Sequence, residues 1–108
     1  MKKVYLAAPF SHWSWFVRRW RIYKVNKMAA KLMEAGYIVF SPLSHSYPIS
    51  RHTKIDDQDH DFWLRQDLPF IAACDIFCVY RLWGWDKSRG ILREIKEAAR
   101  LGKERIHV

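Results

Sequence analysis

"YIVFSP", Tyr37 to Pro42, reads as a short buried strand, because an apolar run with β-branched and aromatic residues is bounded by Gly36 and a proline. The residues before it decide the fold. From Trp13 to Ala35, Phe16, Val17, Trp20, Val25, Met28, Ala29, Leu32 and Met33 recur at helical spacing, with Gly36 as the stop and Ser11 or Ser14 as N-cap. Ahead of that helix lies "KVYLAA", Lys3 to Ala8, a second β-prone run that ends at Pro9. A strand, helix, strand unit crosses over right-handed, which makes the two strands parallel.

The pattern continues downstream. "DHDFWLRQDLPFIAA" begins with acids and carries Phe62, Leu64, Leu68 and Ile71, so it predicts a helix despite Pro69. "CDIFCVY", Cys74 to Tyr80, is the third strand, a helix runs from about Arg89 to Leu101 with Gly102 as its stop, and "ERIHV" is the last strand. Leu43 to Asp59 is polar, is expected to be irregular, and has the length of a binding or lid element. This order predicts an α/β three-layer sandwich with a mainly parallel sheet of roughly four to five strands. In such sheets ligands bind beyond the carboxyl ends of the strands, which singles out the residues after Ala8, Ser41 and Tyr80.

At 108 residues the chain suits one compact domain, so a site is built within one core or shared between subunits. Nineteen Lys and Arg against 11 Asp and Glu leave a charge of +8, which implies an anionic partner: a nucleotide, a nucleic acid or an acidic surface. The N-terminal apolar stretch is short and contains Pro9, so it reads as a strand rather than an export signal. Arg18, Arg19, Arg21 and Lys24 interrupt the aromatic run and forbid a membrane span, so a cytoplasmic protein is expected. Cys74 and Cys78, placed on one face of the third strand about 13 Å apart, cannot pair and are expected as buried free thiols.

The loop "GWDKSRGILREI", Gly84 to Ile95, runs into the last helix and carries the richest chemistry. Glu94 stands about one turn into that helix, where the dipole favours an anion; it either stabilises the helix or does chemistry. Gly90 allows close approach of a ligand, and Ser88 with Arg89 offers a hydroxyl and a guanidinium to an anion such as phosphate. Asp75 at a strand mouth is either a cap or a functional acid, and Asp67 near a helix end reads first as structural. Asp56, Asp57, Asp59, His60 and Asp61 lack a recognised ligand spacing and precede a helix, so no metal is expected. His45 and His52 belong to the long loop and either enter the pocket or stay in solvent. In "WSWFVRRWRIYKV" the aromatics either pack on the sheet or a second subunit, which is the expectation, or stack with the arginines on single-stranded nucleic acid.

Taken together, "KVYLAAPF", "QDLPFIAACDIFCV" and "GWDKSRGILREIKEAARLGK" resemble the nucleoside 2-deoxyribosyltransferase-like superfamily, especially its small phage and bacterial branches. The resemblance spans most of the chain apart from Leu43 to Asp59 and implies a flavodoxin-like, Rossmann-like sandwich that cleaves the bond between a base and 2-deoxyribose. By motif, Glu94 falls at the nucleophile and Asp75 at the aspartate that handles the base. Ser88 falls where the transferases carry an acid and the related deoxynucleoside monophosphate N-glycosidases a phosphate-binding serine, which tilts the expectation towards nucleotide hydrolysis. The glycosidases carry a serine and an arginine after the first strand, whereas this chain offers only Ser11 and His12. Tyr5, Trp83 and Trp85 are candidates to sandwich the base, with Asp67 and Arg89 also near the substrate. The resemblance implies a homo-oligomer whose pocket a neighbour completes; no cofactor is expected. The base, the choice between nucleoside and nucleotide, and that between hydrolysis and transfer stay open, as does a non-catalytic nucleotide-binding or nucleic-acid-binding module.

Overall fold

The computed structural model describes residues 1–108. Four strands, β1 (Lys3–Ala7), β2 (Ile38–Phe40), β3 (Ile76–Val79) and β4 (Glu104–His107), form one sheet in the order β2-β1-β3-β4. Every pairing is parallel, with Tyr5 opposite Phe40 on one side and Phe77 on the other. The helices are α1 (Trp15–Glu34), α2 (Pro42–Ser50), α3 (His60–Ala73) and α4 (Arg89–Arg100), with a 3-10 turn at Trp85–Lys87.

The alternation of strand side chains produces the three layers. Val4, Leu6, Ile76 and Cys78 face α1, where Val25, Ala29 and Leu32 close one core. Tyr5, Ala7, Phe77 and Val79 point the other way, onto Ile71 of α3 and Ile91 and Ala98 of α4. All four residues of β3 are buried, as expected of a central parallel strand covered on both faces. The α/β sandwich expected from the sequence is thus the architecture observed, with four strands.

Two local expectations are corrected. Pro42–Ser50, expected as irregular chain, is a helix that begins with Pro42 and turns Pro42, Ser46 and Ser50 inward. Its buried stripe at i, i+4 and i+8 is proline and serine rather than aliphatic, so hydrophobic periodicity gives no signal for it. Only the part after Arg51 is irregular. Cys74 lies at the C-terminal cap of α3, before β3 begins, and its side chain joins the α3/α4 core while that of Cys78 faces α1. The two thiols are free and buried, on opposite sides of the sheet rather than on one.

No helix is long and apolar enough to cross a membrane. Trp13, just before α1, and Trp15, Phe16, Trp20 and Tyr23 on its outer face are exposed, so of the two expected packings, on the sheet or on a second subunit, the first is not observed.

Candidate functional site

A cavity of about 720 Å³, open solvent at its mouth included, sits beyond the carboxyl ends of β1 and β2. Leu6, Ala8, Phe10 and Ser11 come to it from β1 and the loop after it, Ser46, Tyr47 and Ser50 from α2, Trp63, Leu64 and Asp67 from α3, and Ser88, Gly90 and Glu94 from the start of α4. This is the end of a parallel sheet where open α/β folds bind ligands.

Glu94 is the centre of the site. It is the sixth residue of α4, beyond the first turn, and it is buried, with the Tyr5 hydroxyl donating a hydrogen bond to its Oε2. Desolvation dominates its titration: burial lifts the carboxyl to about 8, Tyr5 pulls it back and the charge of Asp67 pushes it further up. The expectation of a dipole-stabilised anion is therefore corrected, because the dipole fades within the first turn and burial opposes charge. Tyr5 itself is held well above its usual range by burial and then by Glu94, so it keeps its proton and acts as donor.

Asp67 is the cavity carboxyl whose charge acts on Glu94, and it is raised to about 6 by burial against a weak hydrogen bond from the Ser46 hydroxyl at 3.4 Å. Two carboxyls whose charges oppose each other titrate as a pair, and between about 6 and 8 this pair retains one proton. The higher value belongs to Glu94, so in this window the proton rests on Glu94 and Asp67 carries the charge, while the Tyr5 hydrogen bond narrows the gap by favouring the ionised form of Glu94.

Asp75 is corrected. It precedes β3 at the opposite end of the sheet, where its Oδ2 accepts from the Lys3 amide at 2.9 Å. That hydrogen bond holds its carboxyl below the usual range in an exposed position, the reverse of the raised pKa a proton donor to a base requires. Asp75 ties the start of β1 to the start of β3.

Ser88 caps α4, its Oγ accepting from the Ile91 amide at 3.2 Å, which leaves the hydroxyl proton free for the pocket. A Cβ at Gly90 would meet only the Ser88 Oγ, at 3.8 Å, so the glycine keeps the helix end open. The amides of Arg89 and Gly90 have no partner within the helix. Arg89 is exposed and does not line the cavity.

The aromatic walls differ from those expected. Tyr5 is fully buried, its ring stacked 5.7 Å from that of Phe77, and offers the pocket only the environment of Glu94. Trp83 lies outside the cavity beside Arg21, and Trp85 packs against His107 and the α3/α4 core. Trp63 and Tyr47 line the cavity instead. Trp63 is anchored by its Nε1, which donates to the Asp56 carbonyl at 2.8 Å. Tyr47 was hidden in a segment without helical periodicity; its closeness to Ser46 and Ser50, spaced one turn apart, was the available signal.

Of the two candidates after β1, Ser11 lines the cavity, while the His12 Nδ1 accepts from the Ser14 amide at 2.9 Å and its ring lies beside Trp13 and Trp83. His45 packs by Phe40 and Phe70 rather than entering the pocket. The acidic run before α3 divides: Asp57, Asp59 and His60 line the cavity, Asp59 also capping α3, whereas Asp56 accepts from the Gln58 amide and Asp61 pairs with Arg93 at 3.0 Å. No group of three metal-binding side chains converges anywhere.

Arg21 is a buried residue that the sequence did not single out. From α1 its Nη1 donates to the carbonyls of Phe10 (3.2 Å) and Ser11 (2.9 Å), and its Nη2 to that of Trp83 (3.0 Å). It thereby joins the loop after β1 to the loop after β3, with no carboxylate partner. Gly84, at φ +89, makes room for it: a Cβ there would stand 2.5 Å from the Arg21 Nη2.

No curated protein sequence matches the chain. Among solved structures it is similar to the 2-deoxyribosyltransferase of the psychrotolerant bacterium Bacillus psychrosaccharolyticus, with a TM-score of 0.68 and 25% identity, covering 97% of this chain and 70% of that one. The deoxyribosyltransferase-like fold expected from the sequence motifs is therefore shown. Residues 2–108 match the family model described as a domain of unknown function (DUF1937), and the chain belongs to that family.

Proposed function

We propose that the protein is an N-glycosidase that cleaves the bond between a base and the sugar of a 2-deoxynucleoside 5′-monophosphate. The observation that carries the reading is the carboxyl pair Glu94 and Asp67 in one cavity, with Tyr5 fixing the first. Ionised Glu94 attacks the anomeric carbon, or supports the cation that grows there, as the glycosidic bond lengthens. In the reactive form the single proton of the pair has passed from Glu94 to Asp67, which gives it to the departing base, the role the resemblance assigned to Asp75. Water then resolves the sugar and releases deoxyribose 5-phosphate. Trp63 and Tyr47 supply flat faces for the base.

The 5′-phosphate is assigned to the start of α4. The Ser88 hydroxyl, the unpartnered amides beside Gly90 and the helix dipole form a seat for an anion. A second reading, exchange of bases between deoxynucleosides, is favoured by the likeness to a 2-deoxyribosyltransferase. In either reading a second copy of the chain at the cavity mouth completes the site.

Incubation with deoxynucleosides and their 5′-monophosphates, with and without an acceptor base, separates the readings when free base is followed by chromatography. Release of base from monophosphates alone, lost in Glu94→Gln, is the expected result. Sugar exchange only in the presence of acceptor establishes the transferase, and no turnover with either class overturns both.

A further inference from the structure

The sequence is electrically lopsided. Residues 1–55 hold ten Lys and Arg and a single acid, Glu34, whereas residues 56–108 hold nine and ten. Such asymmetry between halves is a mark of a polyanionic partner. Much of this charge lies on α1, whose outward face is lined with rings.

Trp15, Arg19, Tyr23 and Lys27 follow one another at four-residue steps, so they form one stripe along α1 in which ring and cation alternate. Each cation lies over the preceding ring: the Arg19 guanidinium 4.8 Å from the Trp15 centroid and the Lys27 ammonium 5.3 Å from that of Tyr23. Trp15 is 49% exposed and Tyr23 57%, so both rings still face solvent. None of the cations has a carboxylate partner; the only ion pairs are Arg93–Asp61 and Arg100–Glu97. Beside the stripe, an open groove of about 910 Å³ between α1 and α2 adds Tyr47 and Arg51 to Arg19 and Tyr23, again without an acid. Tyr47 lines this groove and the carboxyl cavity alike.

We infer that this stripe and groove bind single-stranded nucleic acid, with phosphates on Arg19, Lys27 and Arg51 and unstacked bases on Trp15 and Tyr23. Ring follows ring, and cation follows cation, after eight residues or about 12 Å along the stripe, on the scale of two nucleotides of an extended strand, so Trp15 and Tyr23 take every second base and the cations meet phosphates between them. A second copy of the chain fits the same face less well, because a two-fold contact through it sets the cations of one copy against those of the other with no acid between them. The surface is separate from Glu94 and Asp67, and its test does not depend on turnover.

The test is fluorescence anisotropy with a labelled oligo(dT) of about sixteen nucleotides, the upper site size of a small single-strand module, at salt from about 50 to 200 mM. Binding is expected, weaker for a duplex of matched length, and unchanged in Glu94→Gln. Trp15→Ala and Tyr23→Ala each weaken it about tenfold, as the loss of one stacked base does. Arg19→Ala and Arg51→Ala each flatten the plot of log affinity against log salt by about 0.7. These side chains lie outside the two cores, so unchanged circular dichroism accompanies each substitution. Absence of binding at the lowest salt overturns the proposal, and so does binding indifferent to both ring substitutions. Sedimentation supplies a third arm: ring variants that turn a dimer into a monomer without changing oligonucleotide binding make the face a self-association surface and overturn it as well.

Discussion

The Tyr5 hydroxyl donates to Glu94 Oε2 across the end of the sheet, joining the middle of β1 to the second turn of α4. It is the only side-chain donor bonded to that carboxyl, and it acts against burial. Tyr5→Phe keeps the ring on Phe77 and Phe40 but removes the bond. A hydrogen bond to a charged group is worth about 1.5–3 kcal/mol, so kcat at neutral pH is expected to fall roughly tenfold to a hundredfold while KM changes little. A Phe variant with undiminished kcat refutes the role of Tyr5 in setting the charge on Glu94.

The charge of Asp67 raises Glu94, and on the proposed reading Asp67 takes up the pair's proton to assist the base. The competent form holds one proton on the pair, so kcat/KM is expected to be bell-shaped, with limbs near 6 and 8. Asp67→Asn removes one carboxylate charge and the proton donor together. Activity on natural bases drops about 10²–10⁴-fold, and a substrate whose base departs without protonation recovers most of that loss. In this variant the remaining limb moves below 8, since the charge that raised Glu94 is gone. A limb that stays in place separates the two carboxyls and defeats the pair.

Much of this was legible in the sequence, for identifiable reasons. The strands Lys3–Ala7 and Ile76–Val79 are short apolar runs between turn residues, and α4 has apolar positions on one face only, so local pattern and tertiary packing agree. Where they disagree, the pattern failed. The rings of α1 are expected on the sheet or on a second subunit and do not reach the sheet, because periodicity reports spacing and not which face turns inward. Asp75 sits beside a strand as expected, but at its amino end, and one strand has two ends that differ entirely in chemistry. Asp67 acquires its character from burial beneath α2, a helix that the serine-rich segment did not announce.

Glu94 also makes stability depend on pH. Its carboxyl titrates near 8 in the folded protein and at about 4.3 in the unfolded chain, so between these values the folded state binds more protons. Stability therefore falls as pH rises through this window, by up to about 1.4 kcal/mol for each unit crossed, and levels off above 8. Asp67 adds a fall of the same sign, complete near pH 6. Thermal melts of the wild type should decline from about pH 5 to 8, and Glu94→Gln should remove most of the decline above 6 while abolishing turnover. A Gln variant that declines as steeply as the wild type excludes the buried carboxyl as the source.

Arg21 holds three carbonyls on two loops with one planar group. Lysine carries a single ammonium that cannot span the same acceptors in a fixed fork. Arg21→Lys should lower stability by about 1–3 kcal/mol and raise KM more than it lowers kcat, because the Ser11 loop loses its tether while Glu94 and Tyr5 keep theirs. Equal kcat and KM to wild type would show that the loops hold their positions without it.

Ser88 caps α4 and, on the proposed reading, meets the 5′-phosphate. The two roles separate in Ser88→Asp. Aspartate is as good an N-cap as serine, so the helix keeps its stability, whereas Ser88→Ala loses about 1 kcal/mol. The new carboxylate faces the pocket from the same position and repels a phosphate. KM for the monophosphate should rise at least about tenfold, the equivalent of ~1.4 kcal/mol of repulsion, while KM for the corresponding nucleoside stays constant or falls. Parallel shifts for both substrates would place the phosphate elsewhere and leave Ser88 with its cap alone.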